Sequence, residues 1–146
     1  MLLAARDRTR QELSRRLAAK GFALSEVKGA VDRLTEQGYL DDRRFATIWA
    51  RGRLDTQPMG PLRLKQELEA KGVDQHLVRE VLRDIYEEGE EQAARRAVAG
   101  RWDRLQRFRA ASRTARMARF LQRRGFSTEV IWRLLREDRQ PDRGNQ

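Results

Sequence analysis

The sequence predicts an all-α protein of tandem three-helix, helix-turn-helix-like modules arranged as an elongated, curved array. Arg, Leu, Ala and Glu, all good helix formers, dominate the chain, while strand formers are sparse. Charged residues make up 37% of the 146 positions and the hydrophobic class 39%, enough to bury one stripe per helix. The segment ELSRRLAAKGF at 12–22 returns as RLKQELEAKGV at 63–73 and, more loosely, as RMARFLQRRGF at 116–126. Repetition at a fixed period of about fifty residues is the signature of a repeat architecture.

The elements follow from this register. Leu13 and Leu17, Leu64 and Leu68, and Met117 and Leu121 are each four apart and share a helix face. Gly21, Gly72 and Gly125 then stop those helices, where a left-handed residue is cheapest as glycine. Phe22, Val73 and Phe126 follow, and second stripes open: Val27, Val31 and Leu34; Val78, Leu82 and Ile85; Ile131 and Leu135. Asp74 and Ser127 are suited to cap the second helices, with Val73/Val78 and Phe126/Ile131 as hydrophobic staples. The equivalent of these caps in the first copy is Ala23, so Ser25 is expected to cap there or the entry to be looser.

A third helix is expected after Gly38 and again after Gly89. In GYLDDRRFA, Asp41 caps, Leu40 and Phe45 staple, and Asp42 favours the positive end of the helix dipole, so Phe45, Ile48 and Trp49 should face inward. In GEEQAARRA, Ala93, Ala97 and Val98 give a thinner face. Pro58, Gly60 and Pro61 form the clearest linker. We therefore divide the chain into repeat 1 (1–56), repeat 2 (57–104), a basic and abbreviated repeat 3 (105–138) and a disordered tail (139–146).

Composition also excludes. With no cysteine there is no disulfide framework and no thiolate metal site, which fits a reducing cytoplasm. The opening MLLAARDRTR lacks the apolar core of a signal peptide, and no stretch approaches the roughly 20 apolar residues of a membrane span. A nucleophilic mechanism wants Cys, or Ser oriented by His, but the single His76 sits beside Asp74 in a first helical turn and reads as a surface residue. Adjacent acids such as Asp41/Asp42, Glu87/Glu88 and Glu90/Glu91 point about 100° apart on a helix and do not converge on a metal. We expect no enzyme, no cofactor and a monomeric binding protein.

Charge is segregated. Residues 1–94 contain 17 basic and 17 acidic residues, whereas 95–146 contain 15 arginines against 5 acids, so the whole net charge of +10 lies in the last third. A field of one sign concentrated in this way attracts polyanions, chiefly nucleic acids. On a helix from about 105 to 124 with Met117, Phe120 and Leu121 facing the core, Arg109, Arg116, Arg119 and Arg123 fall within an arc of roughly 80° on the outer side. That stripe is about 21 Å long. Arg113 and Arg124 flank the core, where their stems can snorkel, and Arg133, Arg136 and Arg139 extend the basic surface. Trp49 reads as core; Trp132, next to Arg133, is open to a contact role.

RTRQELSRRLAAKGF, VDRLTEQGYLDDRRFA, LKQELEAKGV and FLQRRGFSTEVIWRLL together resemble the RecX family of bacterial regulators of the RecA recombinase, over about residues 8–138. Within them the motif Gly38, Tyr39, Leu40, Asp41, Asp42, Arg43 and Phe45 is the most specific, and it is expected to be structural with a possible partner contact. The resemblance implies three tandem three-helix motifs that bind along the groove of the RecA filament on single-stranded DNA, inhibiting strand exchange and co-protease activity in the SOS response and recombinational DNA repair. The arginine positions (109, 113, 116, 119, 123, 124, 133 and 136) are our own assignment of the nucleic-acid or filament surface. A stand-alone helix-turn-helix-like DNA-binding protein acting without RecA is the alternative.

Overall fold

The computed structural model describes residues 8–87 and 89–139. Among the described residues there are nine α-helices and no strand: α1 (Arg10–Ala19), α2 (Leu24–Glu36), α3 (Asp42–Thr56), α4 (Pro61–Ala70), α5 (Gln75–Ile85), α6 (Glu90–Ala99), α7 (Trp102–Leu105), α8 (Ala110–Arg123) and α9 (Thr128–Arg139). The all-helical repeat expected from the sequence is what the chain forms. Gly21, Gly38, Gly72 and Gly125 carry positive φ just past their helices, so each is a left-handed stop, while Gly89, with φ +122°, sits at the N-cap of α6. Contacts divide the chain into two compact units, one of Lys65–Asp84 with the residues up to Gly52, the other of Arg53–Leu64 with the residues from Ile85 onward.

In the first unit α1 packs on α2 around buried Leu13, Val27, Val31 and Leu40, with Leu17 and Leu34 half-buried beside them. Thr9, fully buried, caps α1: its Oγ1 accepts from the Glu12 N–H at 3.1 Å and donates to the Lys71 carbonyl at 2.8 Å. The GYLDDRRFA turn ties three helices together. Asp41 Oδ1 accepts from the Arg44 N–H at 3.1 Å and caps α3, over buried Leu40 and Phe45. Asp42 turns instead to α1 and accepts its first N–H, from Arg10, at 2.9 Å. The Arg10 guanidinium reaches Thr35 at 2.6 Å and Asp32 at 2.7 Å on α2, and Arg43 donates to Glu80 on α5 at 2.5 Å. At the start of α5, Asp74 accepts from the His76 N–H at 3.0 Å, and His76 is exposed as expected.

One local expectation is corrected in this unit, and another is decided between its two branches. Ser25 does not cap α2; the helix opens at Leu24 after Ala23 with no side-chain cap, the looser entry of the two expected. Ile48 is 54% exposed rather than inward, because Ala46 and Ala50, both fully buried, hold the apolar face of α3 with Phe45. Phe22, unlike Val73 and Phe126, is half exposed. Trp49 is half-buried, with Lys71 Nζ 5.9 Å from its ring centroid.

In the second unit α6, α8 and α9 pack on one another, with the single-turn α7 against α8. Their core holds Ala93, Ala94 and Ala97 of α6, Leu105, Met117, Phe120, Leu121 and Phe126, and Val130, Ile131, Leu134 and Leu135 of α9. Small side chains let α6 approach closely, and Val98 is only half-buried. The linker docks by backbone: the Gly60 N–H donates to the Arg124 carbonyl at 2.8 Å and the Leu62 N–H to the Gly125 carbonyl at 3.1 Å. A Cβ on Gly60 would strike the Gly125 carbonyl, and one on Gly125 would strike the Arg63 backbone. Ser127 caps α9 through the Val130 N–H at 3.4 Å and is itself held by Glu90, which accepts from its N–H at 2.5 Å and its hydroxyl at 3.1 Å.

The single helix expected from about 105 to 124 is broken. α7 ends at Leu105 and α8 begins at Ala110, with a turn closed by the Phe108 N–H donating to the Leu105 carbonyl at 3.1 Å. The disordered tail expected at 139–146 lies outside the described residues, apart from the backbone of Arg139 that ends α9.

Candidate nucleic-acid interface

Between Arg101 and Arg124 the chain carries nine arginines and one acid, Asp103. The break after α7 decides how they are displayed. Leu105 is buried in the same cluster as Phe120, so α7 and its following turn lie against α8. A groove of about 590 Å³ results, lined by Arg101, Arg104 and Arg107 from one side, by Arg116, Arg119 and Arg123 from α8, and by Leu105, Phe108 and Phe120. On α8 the three arginines recur at helical spacing and span about 10 Å. Among the described residues no carboxylate lines the groove.

Aromatic rings hold several of these side chains. The Arg116 guanidinium lies 3.8 Å from the centroid of Phe108, and Arg101 and Arg124 lie 4.8 and 5.2 Å from that of Phe120. A guanidinium on a ring face is oriented without being neutralised, and its in-plane N–H donors remain for another partner. Like charges crowd behind it. Burial lowers the pKa of Arg124, and repulsion from Arg101, Arg63, Arg123 and Arg53 lowers it further. The folded protein therefore holds a local excess of positive charge that a polyanion would relieve.

The arginines singled out from the sequence do not all belong to this groove. Arg116, Arg119 and Arg123 line it, as the stripe required. Arg109 is exposed but sits at the N-cap of α8 in extended conformation, off the helical register that placed it on the stripe, and it does not line the groove. Arg113 is bound instead to Asp138 of α9, with Nε 3.2 Å from both carboxylate oxygens and Nη2 at 3.1 Å. Their side chains are 20% and 10% exposed, so this charge is spent inside the protein. Arg124 is half-buried over Phe120. Arg133 pairs with Glu129 at 2.5 Å and lies 3.7 Å from Glu91, while Arg136 is exposed. The side chain of Arg139 lies outside the described residues.

Sequence reasoning missed Arg101, Arg104 and Arg107. Their three-residue spacing, RxxRxxR ahead of Phe108, is the signal that marks them. The motif at 38–45 is spread differently: Leu40 and Phe45 are buried, Asp41 caps α3, Asp42 and Arg43 tie α3 to α1 and α5, and Gly38 makes the turn. Tyr39 is 66% exposed. Trp132 is 48% exposed and Trp102 39%, the latter with the Arg113 guanidinium 5.6 Å from its centroid. Among the described residues no group of His, Cys, Asp and Glu is arranged to hold a metal, and no helix is long and apolar enough to cross a membrane.

Fold and surface define a class: a tandem three-helix repeat protein with a cationic groove in its last unit. Family comparison makes it specific. Residues 1–34 match the family model described as RecX, first three-helix domain, residues 41–82 the second and residues 88–135 the third. The regulatory protein RecX of Halorhodospira halophila is 38% identical over 135 residues, covering 89% of this chain and 79% of that one. That of Trichlorobacter lovleyi is 38% identical over 135 residues, covering 91% and 88%. A crystal structure of RecX from Lactobacillus salivarius superposes with a TM-score of 0.85 at 19% identity, covering 93% of this chain and 88% of that one, and shows the shared fold. The chain belongs to the RecX family. The matched segments group α3 with α4 and α5, and α6 with α7, α8 and α9.

Proposed function

We propose that this protein is a non-enzymatic, cytoplasmic regulator of the RecA recombinase that binds the RecA–single-stranded DNA filament as a monomer and lowers its ATPase, recombinase and co-protease activities. The relatives named regulatory protein RecX support the regulatory role. The observation that carries the mode of binding is the groove lined by six arginines and, among the described residues, no carboxylate. In this reading the charge-balanced residues 1–94 meet RecA subunits while the arginine-rich remainder faces filament DNA. Tandem modules favour such a partner, because each further contact along a repeating polymer becomes intramolecular.

The test is RecA ATP hydrolysis on single-stranded DNA with this protein titrated in at two salt concentrations. Turnover should fall, and less steeply at the higher salt. Unchanged turnover together with tight binding to naked duplex would replace this reading by a stand-alone DNA-binding protein. Loss of turnover at substoichiometric amounts would assign inhibition to filament ends.

A further inference from the structure

The groove in the last unit is more than a basic patch, because an aromatic ring stands open at its rim. Phe120, 6% exposed, belongs to the core, whereas Phe108 is 36% exposed on the turn between α7 and α8. Arg116 covers part of Phe108, 3.8 Å from its centroid, and the rest of the ring meets solvent beside Arg104, Arg107 and Arg119. A guanidinium stacked on an aromatic ring is a platform that a nucleobase can extend. Duplex DNA keeps its bases in the stack and offers a groove of this kind only its backbone. A single strand offers phosphates and an unstacked base together.

We infer that the single strand in the groove is held through a base as well as through its backbone, one base stacked on the Phe108–Arg116 platform with Arg116, Arg119 and Arg123 on successive phosphates. This rests on the reading that DNA is the polymer this unit faces, and it specifies the mode of contact. Arg101, Arg104 and Arg107 close the opposite wall on the same backbone.

Binding of the full chain, without RecA, to labelled oligothymidylate, to an abasic strand of equal length and to a hairpin duplex tests it by fluorescence anisotropy. Wild type should hold oligothymidylate at least about 5-fold tighter than the abasic strand, the low end of one aromatic–base stack. Phe108→Ala should remove that preference, weakening oligothymidylate binding more than abasic-strand binding; Phe108→Trp should restore it. Helical circular dichroism equal to wild type shows that each variant is folded. Equal wild-type affinity for the two strands, a preference that survives Phe108→Ala, or tighter binding to the duplex would overturn the inference. With RecA absent, none of these results depends on the ATP-hydrolysis titration, so the regulatory reading and this one can fail separately.

Discussion

Asp42 Oδ1 accepts the backbone N–H of Arg10 at 2.9 Å, so the carboxylate that begins α3 also satisfies the first orphan donor of α1. Asp42→Ala should cost about 1 kcal/mol, read as a fall in Tm, since it leaves that donor without its acceptor. Asp42→Asn keeps an acceptor and should be close to wild type. Burial raises the Asp42 pKa, against lowering by the Arg10 hydrogen bond and charge. A raised folded-state pKa means that the folded protein binds the proton more tightly, so this group's contribution weakens as pH rises from the ordinary value of 3.8 through the raised one. Asp42→Asn should remove that trend from a plot of Tm against pH.

Asp138 is the partner of Arg113, and both are largely buried. Asp138→Ala should destabilise by about 2–3 kcal/mol in urea denaturation, because it strands a guanidinium inside the protein. If Arg113 is spent in this way, Arg113→Leu should leave the salt dependence of DNA binding unchanged.

Arg116, Arg119 and Arg123 behave oppositely if they meet phosphates. Replacing all three by Ala should leave helical circular dichroism intact and weaken single-stranded DNA binding. The slope of log affinity against log salt should shrink by about 2, from about 0.7 for each phosphate that is no longer neutralised.

Glu137 sits on the surface between α9 and α6, where hydrogen bonding to Arg95 lowers its pKa. A lowered folded-state pKa supplies stability above the unfolded value of 4.5 that is lost as pH falls through the folded one. The pair is half exposed, so the effect is small. Glu137→Gln should lower Tm slightly at neutral pH and converge with wild type at acid pH, flattening the acid side of the stability profile.

Glycines at two sites should respond with opposite sign. Gly125 has φ +83° and its backbone abuts Arg63, so Gly125→Ala should cost at least about 2 kcal/mol. Gly29 lies within α2 with open space around it, and Gly29→Ala should gain about 0.5–1 kcal/mol. Thermal melts of the two variants check both.

Most of the fold was legible because its punctuation is local. Glycine stops, Asp and Ser caps and four-residue apolar spacing act within a turn or two, and Gly21, Gly72, Gly125, Asp41, Asp74 and Ser127 do what the register asked of them. The break at 106–109 was not legible. QRFR contains neither Gly nor Pro, and the helix stops there while Leu105 is drawn into the cluster around Phe120. That tertiary packing took Arg109 off the stripe and brought in Arg101, Arg104 and Arg107. Arg113 is claimed by Asp138, a carboxylate 25 positions away whose approach no helical wheel shows. Ile48 points outward because alanines, not the larger residues, line the packed face of α3.

An arginine seated on a phenylalanine ring differs in kind from one seated on a carboxylate, since neither member of the pair changes its charge as pH falls through the carboxylate range. If these pairs grip DNA as proposed, the Phe108–Arg116 and Phe120–Arg101 contacts provide no acid–base release. Letting go would then have to come from elsewhere: a rival polymer, a denser ionic atmosphere, or removal of the protein itself.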